Sequence, residues 1–182
     1  MNGKWCLAAA GALVLAGCAD MMKDRGGSGG ADGARAVAVL EPTKGNSAAG
    51  TVTFTQQGPR VQVNARVTGL KANAEHGFHV HEKGDCSSPD GMSTGGHFNP
   101  GGKPHGPPDA EHHAGDMPSL KGDAQGRADV KFRLTGVSIG SGAADIVGRG
   151  LIVHAQPDDY KTQPTGNAGA RLACGVIQRH PT

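Results

Sequence analysis

Apolar and polar residues alternate along much of this chain with the period of a β-strand. Val61, Val63, Ala65 and Val67 interleave with Gln62, Asn64 and Arg66. Ala128, Val130, Phe132 and Leu134 interleave with Asp129, Lys131 and Arg133, and Val52 and Phe54 sit among Thr51, Thr53 and Thr55. Val37 and Val39 form the apolar set of a further segment, and Phe78 and Val80 alternate with His79 and His81. Residues 151–154 and 172–177 are apolar runs of strand length. Side chains two apart share one face of a strand, so each segment offers one face to a core and the other to its surroundings. Seven or eight such strands, with glycine turns at Gly69, Gly122 and Gly126, predict an all-β sandwich or flattened eight-stranded barrel. No stretch has the periodicity of a long amphipathic helix.

Two segments break the alternation. Residues 82–120 and 155–170 are rich in glycine and proline, and the first is too long to be left unorganised in a compact domain. Composition sharpens this picture. The chain has 182 residues with 31 Gly and 11 Pro, only 3% aromatics and a formal charge of +2. That is one domain with a modest core, and no basic run is dense enough for a nucleic-acid groove. The unusual feature is nine histidines, four of which lie in the first long loop with Cys86 and Asp116.

The N-terminus is read separately. Lys4 precedes a short apolar stretch over residues 7–16, too short to span a bilayer and suited to a signal segment. It ends in Leu15-Ala16-Gly17-Cys18, which resembles a bacterial lipoprotein box in which the cysteine takes the lipid. Residues 1–17 are therefore expected to be removed, and residues 18–34 to form a lipidated, flexible tether with a reach of roughly 20–25 Å. The functional domain is then 35–182. Cys6 leaves with the signal and Cys18 carries lipid, so Cys86 and Cys174 remain. In an exported domain two such thiols most simply form one disulfide, worth about 4–5 kcal/mol for so long a loop; the alternative is two unpaired buried thiols.

His79 and His81 lie on one strand face, with Phe78 and Val80 on the other. The apolar face belongs to the core, so the histidine face points out of the barrel and the long loops must cover it. His97, His105 and His113 follow at eight-residue intervals, and Asp116 comes three residues later. Three imidazoles and a carboxylate suit tetrahedral zinc. His154 ends a strand and completes an all-imidazole set with His79, His81 and His97, which suits Cu(II). His97 is wanted by both sets, and spacing alone does not assign it as a bridge. His76, His112 and His180 are expected outside the site, His76 and His180 at the surface.

At this point a resemblance is visible. Gly77-Phe78-His79-Val80-His81, Gly95-Gly96-His97-Phe98-Asn99-Pro100, His113-Ala114-Gly115-Asp116, residues 150–154 and residues 166–176 together are similar to the bacterial copper/zinc superoxide dismutases of the exported lipoprotein type. The resemblance implies an immunoglobulin-like Greek-key sandwich with two long loops forming the metal site. It implies one Cu ion on His79, His81, His97 and His154. It implies one Zn ion on His97, His105, His113 and Asp116, with His97 bridging. Asp158 is then the carboxylate that orients a copper ligand and a zinc ligand, and Arg171 attracts the substrate anion. A Cys86–Cys174 disulfide would tie the first loop to the strand presenting Arg171. The implied reaction is dismutation of superoxide in the bacterial periplasm or cell envelope, with a membrane anchor on Cys18. Lys161 is a further candidate for steering the anion. A homodimer is compatible with the pattern, which marks no strand face as its interface. A metal-buffering protein would share the histidines but has no need of Arg171, Asp158 or a fixed loop.

Overall fold

The computed structural model describes Met1 and residues 31–181. Beyond Met1, the expected signal segment lies outside the described residues, as do Cys18 and the tether as far as residue 30. In chain order the strands are β1 (Arg35–Pro42), β2 (Ala49–Gln57), β3 (Arg60–Thr68), β4 (Glu75–His76), β5 (Phe78–His81), β6 (Leu120–Lys121), β7 (Ala128–Thr135), β8 (Gly150–His154), β9 (Arg171–Val176) and β10 (Gln178–His180). The main sheet runs β5-β8-β9-β1-β2-β3-β7, with β10 also on β1, and β4 pairs separately with β6. All these pairings are antiparallel. The sheet curls into a half-barrel because β1 serves both halves. Its residues 35–40 pair with β2, and Glu41 and Pro42 turn to pair with β9.

The apolar sides of the strands meet inside. Val61, Val63, Ala65 and Val67 are buried with Val52, Phe54, Phe78, Val80 and Leu151, and Met117 and Leu120 join them from the end of the first loop. The phase of β1 is opposite to the expected one. Ala36, Ala38 and Leu40 face the core, whereas Val39 is 59% exposed. A strand that serves both halves passes close to the facing sheet, and small alanine side chains fill that gap where valines would crowd it.

The edge of β5 not used by β8 is covered by the first long loop, which keeps it from being an open sheet edge. Val80 donates its N–H to Gly115 and accepts from Phe98, and Glu82 donates to Gly96. Isolated bridges form between His81 and His97 and between His79 and Asp116. The loop that looked structureless is thus a partial ladder along β5, with a single 3-10 turn at Met92–Thr94. Cys86 and Cys174 are disulfide-bonded with Cα atoms 5.8 Å apart, which fixes the start of this loop to β9.

The β1 phase has a direct test in urea denaturation. Ala38→Leu should destabilise the domain by about 1–3 kcal/mol through overpacking, and Val39→Thr should change it by less than about 0.5 kcal/mol. The reverse ranking would contradict the register.

Candidate metal centre

Strand alternation sends Phe78 and Val80 inward and His79 and His81 outward, yet all four are fully buried because the two long loops close over the outer face. His97 and Asp116 arrive through the bridges to β5. His154 arrives on the neighbouring β8, where a register shift at Val153/His154 re-aims the side chain opposite Arg171. Two groups of donors result. His79, His81, His97 and His154 form one, and His97, His105, His113 and Asp116 form the other; within each group the possible ligand atoms lie within 4.8 Å of one another, and every member is buried.

The hydrogen bonds at the ring edges leave one nitrogen of each imidazole free. His81 donates from Nδ1 to the Gly95 carbonyl at 2.9 Å, and His154 from Nδ1 to the Gly169 carbonyl at 3.2 Å. Their Nε2 atoms then face each other at 3.3 Å. His79 donates from Nε2 to Asp158 Oδ2 at 2.6 Å, so its Nδ1 is buried with no hydrogen-bond partner. His97 Nδ1 lies 2.8 Å from Asp116 Oδ1 and 3.4 Å from His113 Nδ1, while its Nε2 is likewise buried without a partner. His105 donates from Nε2 to Asp158 Oδ1 at 2.9 Å. Its Nδ1 faces Asp116 Oδ2 at 2.9 Å, an ion pair when the ring is charged. His79 Nδ1 and His97 Nε2 are crowded among other donors yet unsatisfied, which is what a cation between them requires. The all-imidazole group fits copper, and the group with the carboxylate fits zinc.

Asp158 accepts from His79 and from His105 and therefore spans the two groups. Gly166, at φ +64, makes room for this bridge, since a Cβ there would strike both Asp158 Oδ1 and His105 Nε2. Arg171 is half-buried and fastened to the first loop. It donates to the Gly91 carbonyl at 2.8 Å, to Thr94 Oγ1 at 2.6 Å and to the Gly95 carbonyl at 2.7 Å. Gly95 thus takes bonds from both His81 and Arg171. His112 stands outside both groups, half-exposed, with Nδ1 bonded to the His113 carbonyl. His180 is exposed.

His76 corrects the surface expectation. It is 1% exposed, and its Nδ1 donates to the carbonyl of His154 at 2.8 Å. It belongs to β4, which pairs with β6 outside the main sheet, so the alternation of Phe78 and Val80 does not carry back to it.

Burial drives His79, His81 and His154 toward neutrality, reinforced by neighbouring imidazoles. The pKa of His79 is pushed down to about 4 by burial, despite the Asp158 bond, and that of His154 to about 3 by burial and by His79. His81 is lowered well below the usual histidine range by burial and by His154. His105 goes the other way. Burial opposes its charge, but bonds to Asp116 and Asp158 outweigh it and raise the pKa to about 9. Both carboxylates lie well below the usual range, because against their burial stand His105 and His97 at Asp116 and His105 and His79 at Asp158.

Comparison with known proteins decides the family. The model for Copper/zinc superoxide dismutase (SODC) matches residues 48–177. The chain belongs to the copper/zinc superoxide dismutase family. It is 44% identical over 129 residues to Superoxide dismutase [Cu-Zn] 2 of Aquifex aeolicus (strain VF5), covering 68% of this chain and 74% of that one. It is 40% identical over 151 residues to Superoxide dismutase [Cu-Zn] of Paramecium bursaria Chlorella virus 1, covering 78% and 76%. The crystal structure of the clock protein EA4 superposes with a TM-score of 0.73 at 42% identity, covering 82% of this chain and 97% of that one. The chain is accordingly a superoxide dismutase that uses copper and zinc, on the family's all-β fold.

These charge states make a prediction for the metal-free protein. The unfolded chain binds more protons at His79 and His154, so their contribution to stability is present above about pH 6.5 and falls away as the pH drops toward about 4. His105 has the opposite sign, contributing below about pH 6.5 and losing that contribution as the pH rises through about 9. Zinc held on His105 Nδ1 would displace its proton, so zinc uptake at pH 7.5 should then release about one proton. Calorimetry in buffers of different ionisation enthalpy measures this; zinc binding with no proton release would contradict it.

Proposed function

We propose that this superoxide dismutase works in the envelope of a bacterial cell, lipid-anchored through Cys18, as an antioxidant defence. We further propose that His79, His81, His97 and His154 hold its copper, and His97, His105, His113 and Asp116 its zinc. The observation that carries the metal assignment is the pair of partnerless nitrogens, His79 Nδ1 and His97 Nε2, buried beside the facing Nε2 atoms of His81 and His154. The envelope reading is supported by the lipobox at Leu15-Ala16-Gly17-Cys18 and by a Cys86–Cys174 disulfide suited to an oxidising compartment.

When bound, copper supplies the one-electron exchange with substrate, and zinc, which has no redox chemistry, supplies charge and geometry. One superoxide loses an electron and leaves as dioxygen; a second gains one with two protons and leaves as hydrogen peroxide. His97 presents Nδ1 to the zinc group and Nε2 to the copper group, so one ring reaches both. With Nδ1 retained by the zinc side, Nε2 is the atom that can carry a proton to the peroxide. Asp158 holds His79 and His105 by their outer nitrogens and keeps their Nδ1 atoms aimed inward. Arg171, immobilised on three loop acceptors, offers a fixed positive charge to the approaching monoanion at little entropic cost.

Both parts of this reading are tested on cell fractions. Dismutase activity should sediment with membranes, vanish on copper chelation, return with Cu²⁺, and move to the soluble fraction in Cys18→Ser. Activity that survives complete copper removal would overturn the copper assignment, and membrane retention of Cys18→Ser would overturn the anchor. In purified protein, Arg171→Ala should keep both metals, lower the second-order rate by roughly tenfold or more at low salt, and flatten its dependence on ionic strength. An unchanged rate would remove Arg171 from the substrate's path.

A further inference from the structure

Residues 99–108 read Asn-Pro-Gly-Gly-Lys-Pro-His-Gly-Pro-Pro, so seven of ten are glycine or proline. They lie outside helix and strand, and neither a ladder nor a packed face fixes their backbone. His105 sits in this stretch. Among the described residues neither its N–H nor its carbonyl meets another main-chain group. One side chain from the second long loop takes both. Gln163 Oε1 accepts the His105 N–H at 2.8 Å, and Gln163 Nε2 donates to the His105 carbonyl at 2.8 Å. A primary amide carries an acceptor and a donor side by side and so completes the pair of bonds that a neighbouring strand would otherwise supply.

The same loop grips the His105 side chain. Asp158 Oδ1 accepts from Nε2, and the Tyr160 ring lies nearly parallel to the imidazole, with centroids 6.5 Å apart and planes at 9°. Gln163 Nε2 also approaches the Lys161 carbonyl at 3.3 Å. Residues 158–163 therefore touch His105 at its main chain, its ring edge and its ring face. Nδ1 is the ring nitrogen left to face Asp116, 2.9 Å away.

We propose that Gln163 is a positioning residue for the zinc ligand His105. Its amide fixes the main chain of His105, whose N–H and carbonyl no other main-chain group bonds, so that Nδ1 stands in the zinc group before the metal arrives. Less ordering is then left to be done on binding, which raises zinc affinity. The contact is mutual, so zinc in turn steadies residues 158–163, including Asp158, which also orients His79. This rests on the reading of His105 as a zinc ligand.

The test uses the full-length mature protein, copper-loaded and emptied of zinc. Zinc affinity is measured by competition with a chromophoric chelator, and the site geometry by the visible spectrum of Co²⁺ in the zinc group. Gln163→Ala should weaken zinc roughly 10–100-fold and alter the Co²⁺ bands. Gln163→Glu keeps an acceptor for the N–H but has no donor for the carbonyl, and should fall between. Amide exchange at His105 should quicken at least tenfold in Gln163→Ala. Wild-type affinity and spectrum in both variants would overturn the proposal, and so would a fall in thermal stability with affinity and spectrum unchanged. Should Gln163→Ala not fold, Gln163→Glu alone decides by the same two readouts. His105→Ala tests the ligand reading separately: undiminished zinc binding there defeats that reading and the positioning role with it, whereas lost zinc binding there beside wild-type behaviour in both Gln163 variants defeats the positioning role alone.

Discussion

His79 Nδ1 and His97 Nε2 are buried and have no hydrogen-bond partner. Each such atom costs on the order of 1–3 kcal/mol if nothing satisfies it. The other nitrogen of each ring is taken up by a carboxylate, which settles which atom is left over. A protein interior tolerates such a cluster when cations complete it. The closed loops, the Asp158 bridge and the fastening of Arg171 can all be understood as keeping these donors converged and accessible to a small anion.

The barrel and the site divide β5 between them. Phe78 and Val80 anchor it in the core, and that anchoring sets the heights of His79 and His81 on the other face. The first loop then extends the sheet by a few main-chain bonds, which deliver His97 and Asp116 in register. A loop with so few apolar residues has little burial to stabilise it. Its order comes from the ladder along β5, from the Cys86–Cys174 link and from side-chain amides. Asn99 bonds both the N–H and the carbonyl of Lys103, much as Gln163 bonds those of His105.

Much of this was legible in the sequence, for physical reasons that also explain the misses. Strands β2, β3 and β7 alternate clearly, because their outer faces meet solvent. Strand β1 reads Arg-Ala-Val-Ala-Val-Leu, in which both parities are apolar, and the choice between them depends on how much room the facing sheet leaves. His76 belongs to a two-residue strand, too short for periodicity to register by itself. The members of the two donor groups could be named from spacing and resemblance, but the direction in which each ring faces could not. That depends on partners such as the Gly95 and Gly169 carbonyls, whose positions no side-chain pattern records. Gln163 escaped for the same reason, since it acts on main chain rather than on a recognisable motif.

The central claim is that one imidazole, that of His97, joins two cation sites of different character. Anomalous diffraction from crystals holding both metals, collected at the copper and zinc absorption edges, tests it most directly. The account predicts copper density within bonding distance of His97 Nε2 and zinc density at about 2.0–2.1 Å from His97 Nδ1 in the protein with oxidised copper. Copper and zinc scattered over the surface, or a His97 ring that contacts a single ion in that state, would contradict it.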